Sequence, residues 1–171
     1  MGNNDYVNLS LVGMCIDHAT SSALNTLDGH GKLSEILMPM HEGGNPMVSD
    51  VDEQLILKVF FRDPVHVNAI TINCDVKPAD VDASPPKTMR IYANRPEFDF
   101  SCVETVVPHQ TLTFNDRSLK EKHLLNGTKF DRVSSLVIFL VDNIDGKDRT
   151  FISNITLWGG LHGKQIGWYV K

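Results

Sequence analysis

Cysteine is scarce in this chain: three residues in 171, at Cys15, Cys74 and Cys102. An odd, widely spaced set is a poor disulfide framework, and no C-x-x-C pair is present. The spacing excludes a disulfide-stapled fold and a dithiol redox centre, and leaves buried or partly buried free thiols as the expectation. Long apolar runs are missing too. The longest, residues 136–141, is strand-sized, far short of the roughly 20 residues that a membrane-crossing helix needs. Basic clusters are also absent. The 16 Lys and Arg are scattered among 21 Asp and Glu, giving a net charge of -5, which speaks against a nucleic-acid partner. The opening residues, Met1-Gly2-Asn3-Asn4-Asp5-Tyr6, carry neither a basic n-region nor an apolar h-region, so no signal peptide is expected. Tyr6 stands where a myristoylation site wants Ser or Thr. The sequons at Asn8, Asn126 and Asn154 are therefore expected to be unused.

Catalytic signatures are equally sparse. No G-x-S-x-G elbow accompanies the Ser, His and Asp residues that a nucleophilic triad would need. The pairs Gly43-Gly44 and Gly159-Gly160 lack the lysine and spacing of a phosphate loop. Cys15 and His18 have half-site spacing for Zn²⁺, but no second pair completes a tetrahedron. The other histidines (His30, His41, His66, His109, His123 and His162) are dispersed and read as surface or loop residues. No catalytic residue, metal or cofactor is expected.

What is present is strand. A hydrophobic fraction of 42% in a chain of one-domain length supports a real core. Strand-like segments occupy residues 9–16, 55–62, 65–74, 87–94, 103–107, 122–130, 133–141 and 150–158. Asp63-Pro64 reads as a hairpin turn between the second and third, and Asp145-Gly146 as one between the last two. A change of phase after Val67 predicts a bulge near Asn68-Ala69. The apolar run that ends residues 133–141 predicts a central strand covered on both faces. Residues 21–27 suit a short helix, residues 29–45 a loop, and residues 161–171 a tail. About eight strands without helical periodicity point to an all-β, two-sheet antiparallel sandwich, a jelly roll. The rival immunoglobulin sandwich wants a Cys…Trp…Cys arrangement, which is absent.

The sharpest polar feature is Ser49-Asp50-Val51-Asp52-Glu53-Gln54, which runs straight into a strand with Leu55, Leu57, Val59 and Phe61 on one face. The plainest reading of Asp50, Asp52 and Glu53 is a solvated turn leading into that strand. An acidic docking patch comes second and a Ca²⁺ site third, because the spacing is not that of an EF-hand. Arg90, Tyr92 and Asn94 alternate with Met89, Ile91 and Ala93 and so share one strand face, a second candidate surface. Trp168, paired with Tyr169 in a polar tail, is a candidate anchor for a partner. Trp158 reads as core or rim packing.

The acidic stretch also resembles the S-D-x-D-E-x-L signature of the PITH domain. Three further stretches follow in order: Pro86-Lys87-Thr88-Met89-Arg90-Ile91-Tyr92-Ala93-Asn94, Phe98-Asp99-Phe100, and Leu136 to Asn143 with Ile155 to Gly160. The resemblance covers residues 9–160, with residues 1–8 as an extension and 161–171 as the tail. It implies a galactose-binding-like jelly roll and a non-enzymatic interaction module, and a monomer is expected. It further implies association with the proteasome and residence in cytoplasm or nucleus. The lack of a thioredoxin domain suits a stand-alone member. A carbohydrate- or small-ligand-binding jelly roll is the alternative that the fold leaves open.

Overall fold

The computed structural model describes residues 6–13, 15–38 and 44–161. Its longest element, β4 (Leu55–Asn73), is 19 residues long and continuous. The hairpin expected at Asp63-Pro64 does not form. Phe60 faces Ser135 and Val65 faces Val133, both on β8 (Val133–Leu140), so the chain keeps its direction. Five steps along β4 face two along β8. The surplus bulges out, with Arg62, Asp63 and Pro64 exposed. Pro64 has no N–H to offer a ladder, and a bulge is where a strand tolerates that loss. The second expected irregularity is present: Trp158 pairs with Ala69 and Gly159 with Val67, which leaves Asn68 without a partner on β10 (Asn154–Leu161).

β4 belongs to both layers. Its first half lies between β8 and β2 (Ser22–Leu24), and its second between β10 and β7 (His123–Leu124). β8 leads on to β5 (Thr88–Ala93) and β6 (Gln110–Thr113), while β10 leads to β1 (Val7–Asn8). The hydrogen-bonded order β1-β10-β4-β8-β5-β6 thus curls into an antiparallel sandwich. A second, two-stranded sheet joins β3 (Met47–Val48) to β9 (Phe151–Ile152).

Alternation along the strands fills the space between the layers. Leu55, Leu57 and Val59 from one half of β4 meet Val65, Val67, Ile70 and Ile72 from the other in a single core. β8 is central, as its apolar run predicted, and buried at every position from Ser135 to Leu140. Its outward residues Val137 and Phe139 join Ile56, Tyr92 and Phe98 in a second cluster. That cluster is roofed by the 3-10 turn Phe100–Cys102 and the residues after it, with Phe100, Val103 and Val106 packed against it.

Other expectations give way to long-range pairing. Residues 22–24 form strand β2 rather than helix. Ala23 and Leu24 gain Leu57 and Ile56 as neighbours, whereas an isolated helix of seven residues is marginal in water. Asn25, at φ 68, then turns the chain. Residues 29–45 contain a one-turn helix, α1 (Leu33–Ile36), which buries Leu33 and Ile36. Residues 103–107 serve as roof rather than strand, and β6 at Gln110–Thr113 takes the place beside β5. Only His123 and Leu124 of residues 122–130 pair, and residues 9–13 turn after β1.

Candidate functional site

The acidic stretch is a fastened turn at one end of the sandwich. Asn25 fastens it. Its Nδ2 donates to Asp52 Oδ1 at 2.9 Å and to the Gln54 carbonyl at 2.7 Å, and its Oδ1 accepts from the Val51 N–H at 3.1 Å. Asp52 Oδ1 also accepts the Gln54 N–H at 3.0 Å. Beneath the turn, fully buried Ser49 and Thr150 exchange bonds, and the Thr150 hydroxyl donates to the Glu53 carbonyl at 2.6 Å. Asp50 and Asp52 are left exposed, Glu53 is half-buried, and Val51 projects between them at 85% exposure. The solvated-turn reading thus describes the backbone accurately. The side chains above it form an apolar tip flanked by carboxylates.

Neighbouring loops extend the charge. Asp82 pairs with Lys147 at 2.5 Å and His30 with Asp80 at 3.0 Å. The bond to His30 holds the Asp80 carboxyl below its usual range, and the same bond raises His30. Arg149 Nε donates to the Asp50 carbonyl at 3.2 Å, which ties the loop after β8 to the acidic turn. Asp145, anchored by the Ser84 hydroxyl at 2.8 Å, and Asp148 are exposed on that same loop.

The face expected at Arg90, Tyr92 and Asn94 is not an open one. Tyr92 is fully buried, its ring 4.3 Å from that of Phe98, and burial raises its phenol while Arg90 opposes the shift. It is roofed because a sandwich strand has two faces, and here residues 98–106 cover the outer one. Asn94 is exposed but committed, at φ 59. Its Nδ2 donates to the Arg132 carbonyl at 2.9 Å, and its Oδ1 accepts the Ser134 N–H at 2.8 Å. It closes the end of β5 onto β8. Arg90 is half-buried, its guanidinium carbon 6.0 Å from the Phe139 ring centre. Trp168 lies outside the described residues. Trp158 packs on the rim: its indole N–H donates to Thr71 at 2.8 Å, and Lys122 sits 4.0 Å over the ring.

Cys15 is buried and His18 exposed. No group of three or more His, Cys, Asp or Glu among the described residues is placed to hold a metal ion. Two clefts lie in the described surface. One, of about 450 Å³, is lined by Asp75, Asp82, Lys120 and Lys147 over buried Phe151. The other, of about 340 Å³, lies beside β2 and includes Ser22, Ala23, Leu33 and Met47. Sequence reasoning missed Asn25 and the second cleft. An Asn after a strand-like Ser-Ala-Leu could have marked the left-handed turn, but nothing local names Asp52 as its partner.

The chain matches the PITH domain family profile over residues 5–167. It is 33% identical over 152 residues to Thioredoxin-like protein 1 of Schizosaccharomyces pombe, a match covering 85% of this chain and 49% of that protein. The chain therefore spans about half the length of that relative. Among solved structures, its fold resembles the family 32 carbohydrate-binding module of Clostridium perfringens NanJ, solved in complex with galactose. There the TM-score is 0.56 at 12% identity, over 90% of this chain and 97% of that one. It also resembles a striped bass (Morone saxatilis) serum fucolectin, at TM-score 0.59 and 12% identity, over 91% of this chain and 50% of that one. These likenesses establish a galactose-binding-like jelly roll. With the profile covering nearly all of it, the chain belongs to the PITH domain family.

Proposed function

We propose that this PITH domain is a non-enzymatic protein-interaction module that docks on the proteasome through its acidic end, in the cytoplasm or nucleus. The observation that carries the docking face is Val51, 85% exposed between Asp50 and Asp52. An apolar tip flanked by two exposed carboxylates suits a partner that is basic beside a small apolar pocket. Such charges steer the encounter, while the desolvated centre supplies affinity. The proteasome as partner rests on what the family resemblance implies. The non-enzymatic reading is supported by a family and a fold that are not catalytic ones.

The test is a pull-down from cytosolic lysate with tagged protein, probed for proteasome subunits, alongside the triple variant D50K/D52K/E53K. Retention by the wild type and loss by the variant is the expected result. Retention by both moves the site elsewhere, and retention by neither removes the partner.

The fold is also that of sugar-binding modules, and sugar sites stack the ligand on an open aromatic ring. Among the described residues every Phe, Tyr and Trp is buried or half-buried. We therefore place the carbohydrate reading second. A rise in melting temperature with galactose or fucose would restore it.

A further inference from the structure

Among the described residues, β2 has β4 as its one strand partner. In an antiparallel pair about half of a strand's N–H and C=O groups point at its neighbour and the rest point away. Ser22, Ala23 and Leu24 pair with Lys58, Leu57 and Ile56 of β4. Outside that pairing, no hydrogen bond reaches the N–H or C=O of these three residues among the described residues. The cleft of about 340 Å³ is lined by Ser22 and Ala23 of this strand and by no residue of β4. Its apolar part is formed by Ala23, Leu27 and Leu33 over fully buried Met47. Its rim carries the exposed hydroxyls of Ser22 and Ser34.

Thr26 in the cleft lining bridges Ser49, the residue before Asp50. Leu24 ends β2, Asn25 follows it, and Asn25 is the residue bonded to Asp52. Asp28 and Lys32 in the lining offset one another. At that end Asp50 and Asp52 present exposed carboxylates, with Arg149 beside the Asp50 carbonyl.

We propose that β2 and its cleft bind an extended peptide of a partner protein by strand addition. The peptide's small apolar side chains fill the floor, and a Lys or Arg follows at the end beside Asp50 and Asp52. This inference rests on the interaction-module reading and names its site. Backbone groups on an open edge are satisfied by another extended backbone, while alternate side chains enter the pocket. A free edge without such an occupant is a liability that folds normally cover.

The test pans a phage-displayed library of random dodecapeptides against the full chain. The expected result is enrichment of extended, basic-ended peptides. Their binding should weaken about tenfold or more in Ser34→Trp, which fills the cleft from an exposed position, and in Asp52→Lys. Bound peptide should slow hydrogen exchange at Ser22–Leu24. Should Ser34→Trp misfold, Ser22→Trp blocks the same cleft from the opposite rim. The proposal is overturned if no peptide is enriched, if enriched peptides bind the blocked variant equally, or if protection falls elsewhere. The pull-down separates the two readings. Proteasome retention with an empty cleft ends this inference alone, whereas an occupied cleft without retention ends only the proteasome reading.

Discussion

Asn25 and Asp52, 27 residues apart, are joined by a 2.9 Å hydrogen bond from the Asn25 amide to the Asp52 carboxylate. That bond welds the end of β2 to the turn that precedes β4. Asn25 holds φ 68, a conformation Asn tolerates better than Ala. Asn25→Ala therefore loses three side-chain bonds and gains strain, for an expected cost of roughly 1–3 kcal/mol. Asn25→Gly loses the same bonds without the strain and should cost less. Denaturant unfolding of both variants checks the order, and an equal cost would mean that the backbone angle contributes nothing.

Reversal of Asp50, Asp52 and Glu53 to Lys should weaken docking and flatten its salt dependence between about 0.05 and 0.3 M. Val51→Ala separates affinity from steering. At 85% exposure, Val51 contributes little to the fold, so stability should hold within about 0.5 kcal/mol. Binding should fall with the salt dependence intact. A Val51 variant that binds as tightly as wild type would confine the face to its charges.

Thiol chemistry should follow burial. Burial, with Asp63 adding to it, pushes the Cys15 thiol up to about 11, and burial pushes Cys74 up to about 12. Cys102 is half-buried, its thiol donating to Asp99 at 3.7 Å. Iodoacetamide at about pH 8 should therefore label Cys102 first and the other two only on unfolding. Mass spectrometry of the labelled peptides reads the order directly. Early labelling of Cys74 would show that its strand end opens in the native state.

Leu57 is fully buried in the main core, so Leu57→Ala should destabilise by roughly 2–5 kcal/mol. A negligible change in melting temperature would mean the strand's inward face is wrongly assigned. The period-two pattern made that face legible, as it did for Val59, and the unbroken apolar run marked β8 as central. Asp63-Pro64 misled for a physical reason. Turn preference is local, whereas continuation past Pro64 is decided by Val65 meeting Val133. Tyr92 misled in another way. Alternation with Ile91 assigns it a face but does not say whether that face is roofed, and Phe98 that covers it belongs to no strand. The acidic turn itself was plain in sequence, but its fastening by Asn25 was not, because the partners come together only when β2 pairs with β4.

His109 gives the fold an acid-sensitive point. Its Nδ1 accepts the Ala93 N–H at 3.0 Å, so the ring must be neutral there. Burial lowers its pKa below the usual 6.5, and the nearby charges of Arg95 and Lys129 lower it further. A depressed histidine favours the neutral form in the folded state. Its contribution is fully present above the unfolded value of about 6.5 and is lost as pH falls through the folded value. His30, raised by Asp80, works in the opposite sense, so the net slope alone cannot identify His109. His109→Asn isolates it, because the Asn carbonyl can accept the Ala93 N–H without titrating. The difference in stability between wild type and variant should be flat above about pH 7 and shift in the variant's favour on acidification. A difference that stays constant down to about pH 5 would show that protonated His109 is accommodated without breaking its bond to β5.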